Sequence, residues 1–121
     1  MTAGWFESVR EQFESAISLP PGWDTYYGVP SSLSSVERAL SFLVTHLQRN
    51  SVPPTVVPLS DGGIQLVWHQ KALDVEATFP PAEDGEVYVR DLASGTETEV
   101  GLASRGNDLA VLREAFQRLT D

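Results

Sequence analysis

The middle of the chain carries the pattern that most restricts its fold, an alternation of apolar and polar residues with a period of two over residues 55–79. Alternation of this kind is typical of half-buried strands, and the dipeptide Asp61-Gly62 between two alternating runs predicts a β-hairpin. A two-residue turn at that point directs Pro58 to the solvent side, where its missing N–H suits an edge strand. The predicted pairs are Leu59–Ile64, Val57–Leu66 and Thr55–Trp68.

A second turn at Gln70-Lys71 continues the pattern into a third strand. The predicted pairs across it are Trp68–Leu73, Leu66–Val75 and Ile64–Ala77. Both hairpins put the same residues of the middle strand on the buried face, whereas a slip of one residue would invert that face. The agreement predicts a sheet with one buried side and one solvent-facing side.

Two further strands and three helices complete the predicted fold. Strands are expected at Glu86–Leu92, with Val87 and Val89 inward, and at Thr96–Leu102. Helical spacing of apolar residues predicts helices from about Thr2 to Ser18, from Ser32 or Ser34 to Asn50, and after a cap at Asn107 or Asp108. The sequence therefore predicts an α+β fold. An antiparallel meander of four to five strands carries two N-terminal helices and one C-terminal helix, in a single domain of residues 1–121.

Apolar stripes also predict which faces of the first two helices are buried. The first stripe comprises Phe6, Val9, Phe13 and Ile17, widened by Trp5 and Ala16. The second comprises Val36, Leu40, Leu43, Val44 and Leu47. Ser34 and Glu37 have the spacing of a capping box at the start of the second helix.

Composition excludes several kinds of function. The chain has no cysteine, which rules out disulfides and thiolate metal sites. The N-terminus lacks the pattern of a signal peptide and no apolar run approaches the length of a membrane span, so a cytoplasmic protein is expected. A formal charge of −9 should be repelled by nucleic acid and by anionic membranes, so neither is expected as a direct partner.

The negative charge is concentrated in one part of the chain. Between residues 72 and 99 there are eight acidic residues and one basic residue, Arg90. The parity of the strands predicts that several of these carboxylates share the solvent-facing side of the sheet, namely Asp74, Glu76, Glu86, Glu97 and Glu99. Such an array costs stability through like-charge repulsion, so it suits a basic partner. The alternative is a solvated face that only keeps the protein soluble.

A second candidate site is the aromatic loop, defined here as Trp23, Asp24, Tyr26 and Tyr27. Tryptophan and tyrosine are enriched at binding hot spots, and binding residues concentrate on loops. The alternative is that Trp23 and one tyrosine fill the core between the first two helices, while Asp24 satisfies local backbone donors.

Recognisable catalytic chemistry is missing from the sequence. His69, Asp74 and Glu76 could share a face and ligate a divalent metal, but the two carboxylates lie along one strand, so a surface histidine is favoured. No serine lies in a nucleophile elbow, and Asp61-Gly62-Gly63 is too short for a phosphate loop. No metal, cofactor or enzymatic activity is therefore predicted.

Two stretches carry a resemblance to known sequences. These are the loop from Leu19 to Gly28, which contains Gly22-Trp23-Asp24-Thr25-Tyr26-Tyr27-Gly28, and the hairpin from Pro58 to His69, which contains Gly62-Gly63 and Trp68. Together they resemble a scattered set of small uncharacterised bacterial proteins that have a Gly-Trp-Asp-x-Tyr-Gly loop and a Pro-x-x-Gly-Gly hairpin ending in Trp. The likeness spans roughly Leu19 to Phe79, and the extra Tyr27 departs from its pattern. It implies a bacterial or phage-borne accessory protein and assigns no functional residue.

Small size, acidity and absent chemistry together favour a non-enzymatic protein-binding accessory factor. An inhibitor, antitoxin, immunity or anti-defence protein would engage a basic or nucleic-acid-binding protein through charge. The alternatives are a secretion or assembly chaperone, and a small-ligand-binding or enzymatic domain without a recognisable motif. Exposed edges at Thr55–Leu59 or Thr96–Leu102 offer two routes to a homodimer.

Overall fold

A computed structural model describes residues 4–25, 28–102 and 108–120 of the chain. The elements in order are α1 (Gly4–Ile17), α2 (Leu33–His46), β1 (Thr55–Pro58), β2 (Ile64–Gln70), β3 (Leu73–Phe79), β4 (Glu86–Asp91), β5 (Glu97–Gly101) and α3 (Asp108–Thr120). The strands form one antiparallel sheet in the order β1-β2-β3-β4-β5. The predicted α+β meander with two N-terminal helices and one C-terminal helix is confirmed. Within the described ranges, no helix is long and apolar enough to cross a bilayer.

The β1–β2 hairpin has a three-residue loop, so the predicted two-residue turn is wrong. The Leu59 N–H donates to the Gly63 carbonyl, and Gly62 takes a φ of 90°, which its missing Cβ permits. The extra loop residue shifts β1 by one position, so the three predicted pairs are wrong. Leu66 lies opposite Val56 where Val57 was predicted, and Ile64 lies opposite Pro58 where Leu59 was predicted. Val56 is buried in place of Val57, and Pro58 lies on the core side of the sheet.

The β2–β3 hairpin turns at Lys71-Ala72, one position beyond the predicted turn. Both residues have a φ of 57°, as the two central residues of a type I′ turn require. The pairing therefore moves by two residues, and Trp68 lies opposite Val75 where Leu73 was predicted. An even shift preserves the faces of both strands, so the predicted buried side is correct although the predicted pairs are wrong.

The second helix begins directly after Ser32, the earlier of its two predicted starts, and ends before its predicted stop at Asn50. Ser32 caps it, because the Ser32 side chain accepts a hydrogen bond from the Ser35 N–H at 3.0 Å, so the capping box at Ser34 is wrong. The helix ends at His46 and Leu47 is already extended. Its buried residues include Ala39 and Phe42 besides Leu43, whereas the predicted core residue Val44 is 63% exposed.

Helix α1 and helix α3 agree more closely with the sequence pattern. Trp5, Val9, Phe13 and Ala16 are buried, although Ile17 at the helix end is exposed. Asp108 begins α3, and the alternative cap Asn107 lies outside the described residues.

The core lies between one face of the sheet and the three helices. The Trp68 ring packs edge-on against Phe116, with ring centroids 5.1 Å apart, and the Trp68 indole N–H donates to the Val52 carbonyl at 2.8 Å. Buried and half-buried residues alternate strictly along β3, with Val75 fully buried. Among the described residues, the helices therefore cover one side of the sheet and leave the other side as surface.

Candidate binding face on the uncovered side of the sheet

The five carboxylates predicted to share a face do lie together on the uncovered side of the sheet. The strand register arranges this side in three rows that cross β2, β3, β4 and β5. The rows are His69–Asp74–Arg90–Glu97, then Val67–Glu76–Tyr88–Glu99, then Gln65–Thr78–Glu86–Gly101. We call the carboxylates Asp74, Glu76, Glu86, Glu97 and Glu99 the acidic face.

The first row carries the one guanidinium that the described residues place beside the acidic face. Arg90 lies between Asp74 and Glu97 in the register, and its Nε is 3.9 Å from a Glu97 carboxylate oxygen. The Tyr88 hydroxyl donates to the same carboxylate, and this hydrogen bond is the main reason that the pKa of Tyr88 is raised. Both members of the Arg90–Glu97 pair are more than half exposed, so the pair contributes little to stability. The pair neutralises only part of the acidic face.

Glu86 and Glu99 are two carboxylates of the acidic face that repel each other. Glu99 lies opposite Tyr88 and is therefore the diagonal neighbour of Glu86 across β4 and β5. The pKa of Glu86 is raised, first by its hydrogen bond with Glu99, then by the charge of Glu99, and further by partial desolvation and by Glu83. Among the described residues, none of the ion pairs includes Glu86 or Glu99. A partner's cation would relieve this repulsion.

His69 contacts Asp74 but does not assemble the three-ligand group considered above. The Nδ1 atom of His69 lies 2.7 Å from Oδ1 of Asp74, because the two residues pair directly across β2 and β3. Glu76 lies in the next row, between Val67 and Tyr88. In the part of the chain that the structure describes, no group of three or more His, Asp or Glu side chains could hold a metal ion.

The aromatic loop is organised by Asp24. Its Oδ1 atom accepts from the Gly28 N–H at 2.9 Å and its Oδ2 atom accepts from the Ser60 hydroxyl, so the loop is tied both to itself and to the β1–β2 turn. Local satisfaction of backbone donors by Asp24 is confirmed. Trp23 is half-buried and its indole N–H donates to the Val29 carbonyl at 2.8 Å, so its interpretation as a core residue is wrong. Tyr26 and Tyr27 lie outside the described residues.

The structure does not bring the described residues of the aromatic loop, Trp23 and Asp24, together with the acidic face. The loop is attached at Ser60, beside β1, whereas the carboxylates extend from β3 to β5. Strands about 4.8 Å apart put β5 about 19 Å from β1. The two candidate sites therefore have to be considered separately.

Two grooves beside α3 are features that sequence reasoning missed. The first, of about 250 Å³, lies between α3 and the β4–β5 hairpin and includes Val89, Thr98, Val111 and Ala115. Its only signal in the sequence is the apolar pair Val111 and Ala115, on the same helix as the buried Leu112, Phe116 and Leu119.

The second groove, of about 270 Å³, lies between α2 and the end of β5. It is lined by the half-buried His46, whose ring packs 4.5 Å from that of Phe42 and 5.3 Å from that of Phe116. Burial lowers the pKa of His46 below its ordinary value.

Comparison with known proteins adds no family to this description. No protein-family model, curated protein or solved structure matches the chain. Function is therefore inferred from the residues described above.

Proposed function

We propose that the protein is a non-enzymatic binding module that engages a basic surface of another protein through its acidic face. The observation that carries the proposal is the grouping of five carboxylates on one side of the sheet, with Glu86 and Glu99 as diagonal neighbours and Arg90 as the one guanidinium that the described residues place there. Proteins of the inhibitor, antitoxin, immunity and anti-defence classes are expected to work in this way, by covering the basic surface of a toxin, nuclease or nucleic-acid-binding complex.

Electrostatics give such a module speed and selectivity. A face of one charge sign steers a complementary partner and raises the association rate, and added salt reduces the effect. The same face repels nucleic acid, so the partner is a protein and the carboxylates occupy the place that phosphates would take. Raised pKa values on the face should return toward their ordinary range when a partner's cations arrive.

Capture of the partner from the native host, followed by measurement of its affinity, tests the proposal. The test variant reverses three charges of the acidic face, Glu76→Lys, Glu86→Lys and Glu97→Lys. The matched control variant reverses three exposed charges on the helices, Glu7→Lys, Glu11→Lys and Glu37→Lys. Both variants change the net charge by the same amount.

We expect the acidic-face variant to bind at least about tenfold more weakly, since each reversed pair should cost about 1 kcal/mol. The helix variant should bind within about threefold of the parent protein. The affinity of the parent protein should fall steeply between low and physiological salt. Equal losses in the two variants, or no loss in the first, would contradict the proposal.

A client-binding chaperone is the second candidate function, and one observation favours it. A groove of about 150 Å³ between α1 and α2 is lined mainly by apolar side chains, among them Phe6, Phe13 and Leu40, together with Arg10 and Glu14. Clients held there would bind through apolar contacts, with little dependence on salt. Their affinity should fall with Leu40→Asp and should be unchanged by the acidic-face variant.

A further inference from the structure

The two edges of the sheet differ in whether they can accept another strand. Hydrogen-bonded and non-hydrogen-bonded residue pairs alternate along the antiparallel β1–β2 ladder, and Leu59–Gly63 is a hydrogen-bonded pair. The backbone groups of Pro54, Val56 and Pro58 therefore point away from β2. The side chain of Gln12 on α1 occupies this edge. Its carbonyl accepts from the Val56 N–H at 2.7 Å and its amide donates to the Pro54 carbonyl at 3.3 Å. Since Pro58 has no N–H, the β1 edge is closed to a partner strand.

At the β5 edge, by contrast, no described residue pairs with the backbone. Hydrogen bonds from the Asp91 N–H to Thr96 and from the Leu102 N–H to Gly85 fix the alternation of the β4–β5 ladder. Thr98 and Val100 therefore bond to β4, and the backbone groups of Glu97, Glu99 and Gly101 point away from the sheet. The same three residues have their side-chain positions on the uncovered side, so Glu97 and Glu99 flank this row of N–H and C=O groups, which bond to no other described residue.

A groove runs beside the open edge on the core side of the sheet. Its helical wall consists of Val111, Glu114, Ala115 and Arg118, which have the spacing of one face of α3. Thr98 of β5 forms part of the opposite wall. Arg118 closes one end, where it is paired with Asp91 at 2.9 Å and donates to the Lys71 carbonyl at 2.8 Å.

We propose that β5 binds an extended segment of the partner as a sixth strand of the sheet. Alternate side chains of that segment are then apolar and enter the groove beside Val111 and Ala115, while the intervening side chains are Arg or Lys and lie beside Glu97 and Glu99. This inference rests on the proposed function, because it assigns the basic partner surface to an extended strand.

The charge of the edge opposes its use by a second copy of the chain. Two β5 strands paired antiparallel would bring Glu97 and Glu99 of one copy beside the same residues of the other, on one face of the joined sheet. Directly opposed like charges destabilise a strand pair. A segment with basic residues at those positions reverses the sign of the interaction, so a basic strand fits the edge and a second copy does not.

The full chain titrated with the peptide acetyl-Arg-Val-Arg-Val-Arg-Val-Arg-amide, followed by amide NMR and hydrogen exchange, tests the proposal. We expect the amide protons of Glu97, Glu99 and Gly101 to exchange rapidly in the free protein and to become protected when the peptide binds. Two N-methylated peptides of the same charge serve as matched probes. One is methylated at the internal arginines and the other at the valines.

In an antiparallel sixth strand the arginine N–H groups face β5 and the valine N–H groups face solvent. Methylation at arginine should therefore weaken binding at least tenfold, and methylation at valine should change it less than threefold. Replacement of both Glu97 and Glu99 by Gln should weaken all three peptides and reduce their salt dependence. A reversed methylation preference would support a parallel sixth strand.

Other outcomes overturn the inference and leave the proposed function separately testable. If both methylated peptides bind as well as the parent peptide, and the acidic-face variant abolishes binding of all three, the face binds cations without strand addition. Absence of binding at millimolar peptide also overturns the sixth strand. So does protection of Glu97, Glu99 and Gly101 in a dimer without peptide. If peptide affinity depends neither on salt concentration nor on replacement of Glu97 and Glu99 by Gln, the proposal that the bound segment places basic residues beside Glu97 and Glu99 is overturned.

Discussion

The side chain of Gln12 should stabilise the protein by closing the β1 edge, and Gln12→Ala tests this role. Gln12 is half-buried on α1 and makes two long-range hydrogen bonds to the backbone of the edge, at 2.7 Å to the Val56 N–H and 3.3 Å to the Pro54 carbonyl. Alanine removes both. It leaves α1 intact, since alanine is at least as good a helix former as glutamine.

The expected cost follows from those two bonds. A net contribution of about 0.5–1.5 kcal/mol for each hydrogen bond gives a loss of about 1–3 kcal/mol. The helix regains a few tenths of a kcal/mol from its alanine, and water reaches part of the edge, which brings the expected loss to about 1–2 kcal/mol. For a domain of this size that corresponds to a fall in Tm of about 3–6 °C per kcal/mol.

Urea unfolding measures the loss of stability in Gln12→Ala, and amide hydrogen exchange measures the opening of the β1 edge. The Val56 amide should exchange much faster in Gln12→Ala, and light scattering should show whether the opened edge associates. Gln12→Glu keeps an acceptor for Val56 but cannot donate to Pro54, so it should lie between the parent protein and Gln12→Ala. Gln48→Ala, at an exposed position, is the neutral control. A Gln12→Ala variant within about 0.3 kcal/mol of the parent, with Val56 still protected, would refute the reasoning.

Three further substitutions probe the loop, the acidic face and the core. Gly28→Ala should destabilise the protein by about 1–3 kcal/mol in urea unfolding, because a Cβ at Gly28 would lie 2.7 Å from the Asp24 carboxylate and break its bond to the Gly28 N–H. Glu86→Gln should raise stability at pH 7 by about 0.5 kcal/mol by removing repulsion from Glu99, and thermal melts at several pH values should show the gain disappear below about pH 4.5. His46→Phe should flatten the loss of stability that the parent protein shows as pH falls below about 6.5.

The signs of the two pH effects follow from which state binds the proton more tightly. Glu86 has a raised pKa in the folded state, so protonation favours folding and its benefit is lost as pH rises above 4.5. Burial lowers the pKa of His46, so below 6.5 the unfolded chain takes up the proton first and stability falls with pH. A parent protein equally stable at pH 7 and pH 5.5 would contradict the role of His46. Gly4→Ala is the control for Gly28→Ala, since its Cβ meets only the Arg49 carbonyl, at 3.5 Å.

The hairpins show how much of the fold follows from the sequence alone. Alternation correctly predicts the buried side of β2 and β3, because burial depends on parity and the actual turn at Lys71-Ala72 shifts the pairing by an even number. It fails for β1, because Asp61-Gly62 belongs to a three-residue loop and the shift is odd. Turn length is determined by backbone torsions at single residues, and hydrophobic pattern contains little information about them.

The candidate sites, too, follow only in part from the sequence. Parity sufficed to group Asp74 with Glu99 on one face, but the particular hydrogen bond between Glu86 and Glu99 depends on the diagonal register of β4 and β5. Parity within the strands could not reveal the closure of the β1 edge either. Gln12 lies 44 residues from Val56 in the chain, and a polar residue on a helix has no pattern that predicts its tertiary partner.

Closure of one edge and repulsion at the other lead to a common expectation about assembly. Gln12 and Pro58 prevent pairing at β1, and Glu97 and Glu99 oppose self-pairing at β5, so the free protein should be a monomer even though a strand edge is open. The repulsion between Glu86 and Glu99 should persist in that monomer and should weaken when cations approach this side of the sheet. Under the proposed strand addition, the charges that oppose self-pairing are also the charges that select a basic strand, so one set of residues would account for both properties.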